Sequence, residues 1–222
     1  MVTLHHDLGE NVQMTTDNST TTTKPSAGAT RMQGSNKSKG LADLFLHGIQ
    51  DIYYAEKKLT KALPKMIKAA KSQDLIDVLS SHVKETEEHV EMMEEIFQSI
   101  GKPIKAKKCE AIDGIVAEAD AILKEFGGTS AGDAAIIFAA QAAEHYEITR
   151  YGSLRAFAEI LKYSDVEKTI RMILNEEKKA DEKLSQIAED RIDWAANVTP
   201  EEMPSGPQSS ETNDKHKWRL WS

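Results

Sequence analysis

The segment AAEHYEITRYG, residues 142–152, interrupts an apolar helical pattern with two acidic side chains. Four apolar positions in and around it share one helical stripe: Ile137, Ala140, Ile148 and Tyr151. Glu144 and Glu147 lie on the same stripe, at the spacing that points side chains into a core. An ionised carboxylate in an apolar interior is costly unless it is paired or bound to a metal ion. The segment therefore predicts a helix that carries a polar site inside its core.

Length and charge limit the classes of protein to which the chain can belong. Its 222 residues allow one well-packed domain with tails. The net charge of −8 argues against nucleic acid as the main partner, because phosphate binding needs a basic surface. No apolar run approaches the roughly 20 residues that span a bilayer, and the N-terminus lacks the apolar block of a secretory signal. We therefore expect a cytoplasmic protein that binds neither nucleic acid nor membrane.

Composition divides the chain into three parts. Residues 1–39 are rich in Thr, Ser, Asn, Gly and Lys, and residues 197–222 are similarly polar and rich in proline. Such segments cannot bury enough surface to offset the entropy of ordering, so we predict two disordered tails. Residues 40–196 show a period of 3.6 almost throughout and no strand-like alternation. They are predicted to form one helical domain.

The helical part of the chain divides into four long helices and one short helix. The predicted ranges are 41–70, 74–100, 111–126, 131–161 and 165–196. The third helix is about half as long as the others and lies in the connection between the second and the fourth. Two hairpins of long helices joined by one long crossover are typical of ferritin-like bundles. We predict an all-α, ferritin-like four-helix bundle with a short extra helix in the crossover.

Each long helix repeats the anomaly of the opening segment. Polar side chains at helical spacing accompany the apolar stripe of every one of them: Glu56; His82, Glu85 and His89; Glu144 and Glu147; Glu177 and Asp181. Residues three or four apart are neighbours on a helix surface, so side chains on one helix can converge on one point. In each hairpin, an acid at mid-height therefore faces an acid on the partner helix.

Facing carboxylates repel one another at close range, and two metal ions would remove this repulsion. Carboxylates with one or two imidazoles suit Fe and Mn, so we expect two ions of either metal. The alternative is a buried network of salt bridges, in which Glu147 could pair with Arg150. His82 is expected to orient a ligand rather than to be one, His145 to lie at the surface, and Tyr151 to be able to donate to a ligand.

Several segments resemble one known family. They are DIYYAEKKLTKALPKMIKAA, SHVKETEEHVEMMEEIFQSIGK, CEAIDGIVAEA, AAQAAEHYEITRYGSLRAFAE and LNEEKKADEKLSQIAE. Together they are similar to the YciE/YciF-like family of bacterial stress-associated ferritin-like proteins, over residues 40–195 and in the same order. The resemblance implies a ferritin-like core, a dimetal carboxylate site and a homodimer. It implies no established reaction.

The resemblance also assigns roles to the acidic residues. The ferritin-like pattern takes one Glu from each of two helices and Glu-x-x-His from each of the other two. On this pattern, Glu56 and Glu144 take the single-Glu roles. Glu85 and Glu177 take the bridging roles.

The chain departs from this pattern at the second ligand of each pair. His89 lies four residues after Glu85, and Glu88 occupies the usual histidine position. Asp181 lies four residues after Glu177. The resulting ligand set is poor in imidazole and comprises Glu56, Glu85, His89, Glu144, Glu147, Glu177 and Asp181.

Three functions are compatible with these residues. The favoured one is a stress-response redox enzyme whose two metal ions react with peroxide or dioxygen. The second is a ferroxidase or iron-handling protein that uses the same centre. The third is a non-catalytic stress-response bundle whose polar core fixes the register of the helices.

The end of the C-terminal tail has an unusual composition. Residues 215–222, KHKWRLWS, alternate basic with large apolar side chains after a long polar linker. Trp and Arg are the residues most enriched at binding hot spots. The segment is either a peptide that docks on a partner or a dimer mate, or a frayed end without a role.

Overall fold

The computed structural model describes residues 39–197, whose regular elements are all helices. The elements are α1 Leu41–Ala69, α2 Gln73–Ser99, α3 Glu110–Phe126, α4 Gly132–Ile160, α5 Ser164–Ile187, a π-helix Ala188–Ile192 and α6 Asp193–Asn197. This order confirms the predicted all-α class, with the short helix between the second and third long helices. The two tails predicted to be disordered lie almost entirely outside the described residues.

The long helices pack as two hairpins. Helix α1 packs against α2 and α4 packs against α5, and the contacts of α1 with α4 and of α2 with α5 close the bundle. Helix α3 lies in the crossover and packs on α4 and α1. The polar side chains of all four long helices can therefore meet inside one core.

Each long helix faces this core with one regular seam. The buried residues of α1 include Phe45, Ile49, Ile52, Glu56, Leu59, Leu63 and Met66, and those of α2 include Leu75, Leu79, His82, Thr86, His89, Met93 and Ile96. Alternating steps of four and three residues are typical of long helices that pack at a small crossing angle. Because each seam stays aligned over many turns, it holds its polar members at a definite height in the bundle.

The last long helix differs from the prediction, which extended it to residue 196. Helix α5 ends at Ile187, and a π-helix follows over Ala188–Ile192. Leu184, Ala188 and Ile192 are all buried at successive steps of four residues. Four-residue steps drift around an ordinary α-helix of 3.6 residues per turn, and a wider π-turn absorbs that drift. The π-helix therefore keeps Ile192 on the core side.

The turn between α1 and α2 is held by a side chain from α4. Both carboxylate oxygens of Asp133 accept hydrogen bonds from backbone N–H groups, one from Lys71 and one from Ser72, each at 2.8 Å. Backbone N–H groups at a helix start have no partner within the helix. Asp133 thus ties the first hairpin to the first turn of α4.

Replacing Asp133 with Ala should lower the free energy of unfolding by about 1–3 kcal/mol, because two backbone donors lose their acceptor. Urea unfolding followed by circular dichroism measures this change. Asp120→Ala is the matched control, because Asp120 is half-exposed and only pairs with Lys65 on the surface. The control should cost less than about 1 kcal/mol. Equal losses in the two variants would show that Asp133 does not hold the turn.

Candidate metal centre

The core contains one layer of polar side chains, which we call the polar layer. It consists of seven buried residues: Glu56, His82, Thr86, His89, Glu144, Glu147 and Glu177. None of them is more than 4% exposed, and all four long helices contribute. Charged side chains are almost never buried to this degree unless they are partnered. The polar layer is therefore the candidate functional site of the protein.

Six members of the polar layer form two adjacent groups. We call His82, Glu144, Glu147 and Glu177 site 1, and Glu56, His89 and Glu177 site 2. In each group, one ligand atom from every residue lies within 4.8 Å of the others. Glu177 belongs to both groups, so its carboxylate stands where it could bridge two ions. Imidazole and carboxylate donors at this spacing match a pair of metal sites.

The unsatisfied atoms of the polar layer test whether metal ions fit. Six buried side-chain atoms have no hydrogen-bond partner: Glu56 Oε2, His89 Nδ1, Glu144 Oε2, Glu147 Oε1 and both carboxylate oxygens of Glu177. His89 Nδ1 lies 3.0 Å from Glu177 Oε1, yet the pair lacks the alignment of a hydrogen bond. Unpartnered buried polar atoms are rare and costly. Cations would satisfy all six, so the residues present fit metal ions.

Each imidazole of the polar layer has a carboxylate behind it. His82 directs Nε2 at Glu144, 3.1 Å from Oε1, and its Nδ1 lies 3.5 Å from Glu85 Oε2. His89 directs Nδ1 into the layer, and its Nε2 lies 3.0 Å from Glu176 Oε2. Metal-binding histidines typically use the second nitrogen in this way, which fixes the tautomer and the ring orientation. Both imidazoles are thus held as ligands would be.

Five of the seven ligands predicted from the sequence lie in the two sites: Glu56, His89, Glu144, Glu147 and Glu177. The structure places the other two, Glu85 and Asp181, outside both sites. The Glu85 side chain is 30% exposed beside His82, and the Asp181 side chain is 21% exposed and accepts a hydrogen bond from Gln141 Nε2 at 3.0 Å. His82 lies in site 1, although the sequence predicted only an orienting role for it. The geometry therefore favours His82 over Glu85 as a candidate ligand, and both assignments stay predictions.

The buried seam of each helix explains why Glu85 and Asp181 lie outside the two sites. On α2 the buried steps lead from Leu79 to His82, Thr86 and His89, and Glu85 lies about 100° away from Thr86. On α5 they lead from Glu177 to Ala180 and Leu184, which leaves Asp181 off the seam. The seven-residue interval between His82 and His89 was the signal in the sequence. His145, expected at the surface, has a side chain that is 66% exposed.

The buried carboxyl groups have perturbed acidities. Burial raises the pKa of Glu147 well above its ordinary range, and the charge of Glu56 adds to the shift. Burial also raises the pKa of Glu177 to about 8, against the opposing effect of His89. Without a cation, both carboxyl groups therefore tend to hold protons at neutral pH.

The pKa values of both imidazoles are raised, so His82 and His89 tend to retain a proton. Burial by itself lowers the pKa of His82, but the adjacent carboxylate of Glu144 outweighs it and raises the pKa well above the ordinary value. For His89, Glu177 and Glu56 outweigh the same effect of burial and raise the pKa to about 11. Protons thus balance the charge of the polar layer when no metal ion does so.

A tyrosine hydroxyl contacts one carboxylate of site 2. The hydroxyl of Tyr151, which is fully buried, donates to Glu56 Oε1. Burial and then the charge of Glu56 raise the pKa of Tyr151 well above its ordinary value, so the hydroxyl keeps its proton. This bond leaves Glu56 Oε2 as the unpartnered oxygen. The expected donation by Tyr151 to a predicted ligand is present.

Comparison with known proteins places this architecture in a family. The family described as "Domain of unknown function (DUF892)" matches residues 40–197. The chain belongs to this family. Protein YciF of Escherichia coli strain K12 is 36% identical over 159 residues, which cover 71% of this chain and 96% of YciF.

Two solved structures are similar to this chain. The crystal structure of the E. coli stress protein YciF matches at a TM-score of 0.67 and 36% identity, and covers 70% of this chain and 99% of YciF. YcfI of Rhodopseudomonas palustris, for which a structural role has been suggested, matches at a TM-score of 0.67 and 45% identity, covering 69% and 98%. The chain is thus a relative of a bacterial stress protein, as its sequence segments indicated.

The expectation about membranes has a partial structural counterpart. Among residues 39–197, no helix is both long enough and apolar enough to cross a membrane.

The positions of His82 and Glu85 predict different effects of removing each side chain on metal binding. His82→Ala should weaken binding of one metal ion by more than about 100-fold, because it removes a ligand atom from site 1. Glu85→Ala should weaken it less, by about 10-fold, because it only frees the orientation of the imidazole. Isothermal titration with Mn(II) under anaerobic conditions measures both. A larger loss in Glu85→Ala would restore Glu85 as a ligand.

The protonated polar layer predicts how metal binding depends on pH. The pKa of Glu177 rises from its ordinary 4.5 to about 8, so the metal-free fold loses stability as pH rises between these values. The raised pKa of His89 acts in the same direction from 6.5 upwards. Metal ions must displace these protons, so their affinity grows with pH.

Mn(II) should therefore raise the melting temperature much more at pH 8 than at pH 5.5. At one hundred times the Kd the stabilisation is about 2.7 kcal/mol. Differential scanning calorimetry of chelator-treated protein measures the shift. An equal shift at both pH values would contradict proton displacement, and no shift at either would argue against metal binding in the polar layer.

Proposed function

We propose that this protein holds two Fe or Mn ions in the polar layer and uses them to reduce a small oxidant, peroxide or dioxygen, during stress. The observation that supports the proposal is the pair of adjacent sites that share Glu177 and leave six buried atoms without a hydrogen-bond partner. Membership in the family of the stress protein YciF supports the physiological setting.

The donors suit the proposed ions. His82, Glu144 and Glu147 would hold one ion, Glu56 and His89 the other, and Glu177 would bridge them. Such a set is rich in carboxylate and poor in imidazole, which favours Fe and Mn over softer metals. Four buried carboxylates carry four negative charges, and two divalent ions carry four positive ones. With neutral imidazoles the loaded layer is electrically balanced in its reduced state.

The residues around the ions would serve the reaction in different ways. When bound, the two ions supply a pair of electrons to an oxidant within the layer. The apolar seams above and below exclude bulk water from the layer, which strengthens electrostatic interactions there. The hydroxyl of Tyr151 holds a proton at Glu56 Oε1. Glu85 and Glu176, which are partly exposed, would accept hydrogen bonds from the outer N–H groups of His82 and His89 and so keep each imidazole in the orientation of a ligand.

Two other functions use the same observations. An iron-handling protein or ferroxidase would oxidise Fe(II) at these sites and release the product. A structural bundle would use the polar layer only to fix helix register, which the suggested role of YcfI favours for that protein. The homodimer and the cytoplasmic location stay predictions.

Metal analysis followed by turnover distinguishes these functions. Elemental analysis of protein purified from its own host should find about two Fe or Mn ions per chain. The loaded protein should consume peroxide or dioxygen repeatedly when a reductant is supplied. A ferroxidase would instead consume oxidant only in proportion to the Fe(II) added. A protein without metal, whose stability is indifferent to Mn(II), would be structural.

Variants connect the activity with the sites. Glu144→Ala should lose at least one metal ion and about 100-fold of the turnover, because it removes a ligand of site 1. Glu147→Ala should lose less. Asp181→Ala is the matched control, because this acid lies outside both sites and should keep its metal and its turnover. Full metal occupancy in Glu144→Ala would contradict the proposal.

A further inference from the structure

One end of the bundle carries an apolar groove that the polar layer does not use. The groove has a volume of about 480 Å³ and is lined by the end of α3, the first half of α4, the π-helix and α6. Its large apolar side chains include Phe126 and Phe138, which are 38% and 69% exposed. Trp194, which follows the groove residue Asp193, is 73% exposed. Exposed aromatic clusters of this kind mark interaction sites.

The rim of the groove is acidic on the side of the π-helix. Asp193 lines the groove itself, and Glu189 and Asp190 are exposed on the π-helix that contributes Ala188 to the lining. Arg191, the basic residue among them, lies 3.8 Å from Asp74 of α2. The groove thus offers an apolar floor and a negatively charged edge.

The chain itself contains a segment with the complementary chemistry. Residues 215–222, KHKWRLWS, carry Trp218, Leu220 and Trp221 between Lys215, Lys217 and Arg219, and contain no acid. The described residues end at Asn197, one turn after the groove residue Asp193. We propose that residues 215–222 of the same chain dock in this groove, with the indole rings on its apolar floor and the basic side chains at its acidic edge.

The connection between the two is long enough. Residues 198–214 are rich in Pro, Ser and Glu. A random coil of the same length would span roughly 20–25 Å. Tethering places the segment at an effective concentration of about 1 mM. A contact with an intrinsic Kd near 1 mM would therefore already be half-formed within one chain. No tight interface is needed.

A second copy of the chain fits the groove less well. A symmetric contact would place the same surface on both sides. Both surfaces would then carry the acidic edge around Asp193, and their like charge opposes association. The basic segment has the opposite charge. The proteins YciF and YcfI are covered to 96–99% by a match of about 70% of this chain, so the segment adds to a core that those relatives have without it.

The test uses the full-length protein with Trp194→Phe, so that only Trp218 and Trp221 emit. Acrylamide quenching of their fluorescence measures how far the segment is shielded. Phe138→Asp in this background should increase quenching about twofold. The segment would occupy the groove about half of the time in the parent protein, and the substitution would release it to solvent. Asp193→Lys should act in the same direction through repulsion of the basic side chains.

Ile160→Asp is the matched control. Ile160 lies at the opposite end of α4 and is 64% exposed, close to the value for Phe138. This variant should leave the quenching unchanged, and circular dichroism should show the same helicity in all variants. Equal quenching in Phe138→Asp and its parent would overturn the proposal. Shielding that grows with protein concentration would overturn it too, because the segment would then dock on a second copy.

Discussion

The burial of four carboxylates at one level of the bundle is the constraint on which the rest of the structure depends. Removing an ion from water costs several kcal/mol even after the protein relaxes, so four uncompensated charges would unfold a domain of ordinary stability. Glu56, Glu144, Glu147 and Glu177 are nevertheless 0–1% exposed. Positive charge must enter the layer, either as protons on the two imidazoles and on Glu147 and Glu177 or as bound metal ions. Either way, the four helices are held at one relative height.

Register follows from the same constraint. A shift of one helix by a single turn moves its side chains by about 5.4 Å, more than the spacing within either site. Such a shift would move Glu177 out of both sites at once, because its carboxylate belongs to both. The apolar seams alone would tolerate such a shift, since a large aliphatic residue would meet another one. The polar layer therefore supplies the specificity of the pairing, and the seams supply most of the burial.

Most of the polar layer could be predicted from the sequence, because the spacing of buried residues along each helix is visible there. Glu56, Glu144, Glu147 and Glu177 all fall on alternating steps of four and three, which is why their convergence was predictable. Helical spacing and the family pattern both predict Glu85 as a ligand, because it lies one turn from His82 and His89. The buried seam of α2 runs through His82, Thr86 and His89 and leaves Glu85 partly exposed beside it. The sharing of Glu177 between two sites depends on the relative heights of the helices, which no single helix encodes.

The charge balance that fixes the middle of the bundle does not apply to its ends. The π-helix after Ile187 corrects a drift of four-residue steps, and the wider turn brings Asp193 to the apolar groove near Phe138. Nothing in the polar layer requires this groove, since sites 1 and 2 and the groove lining share no residue. Surface at the end of the bundle can therefore acquire a binding partner without disturbing the charge balance at mid-height. A tethered basic segment is a small addition of this kind, because its docking needs only a local apolar floor and an opposite charge.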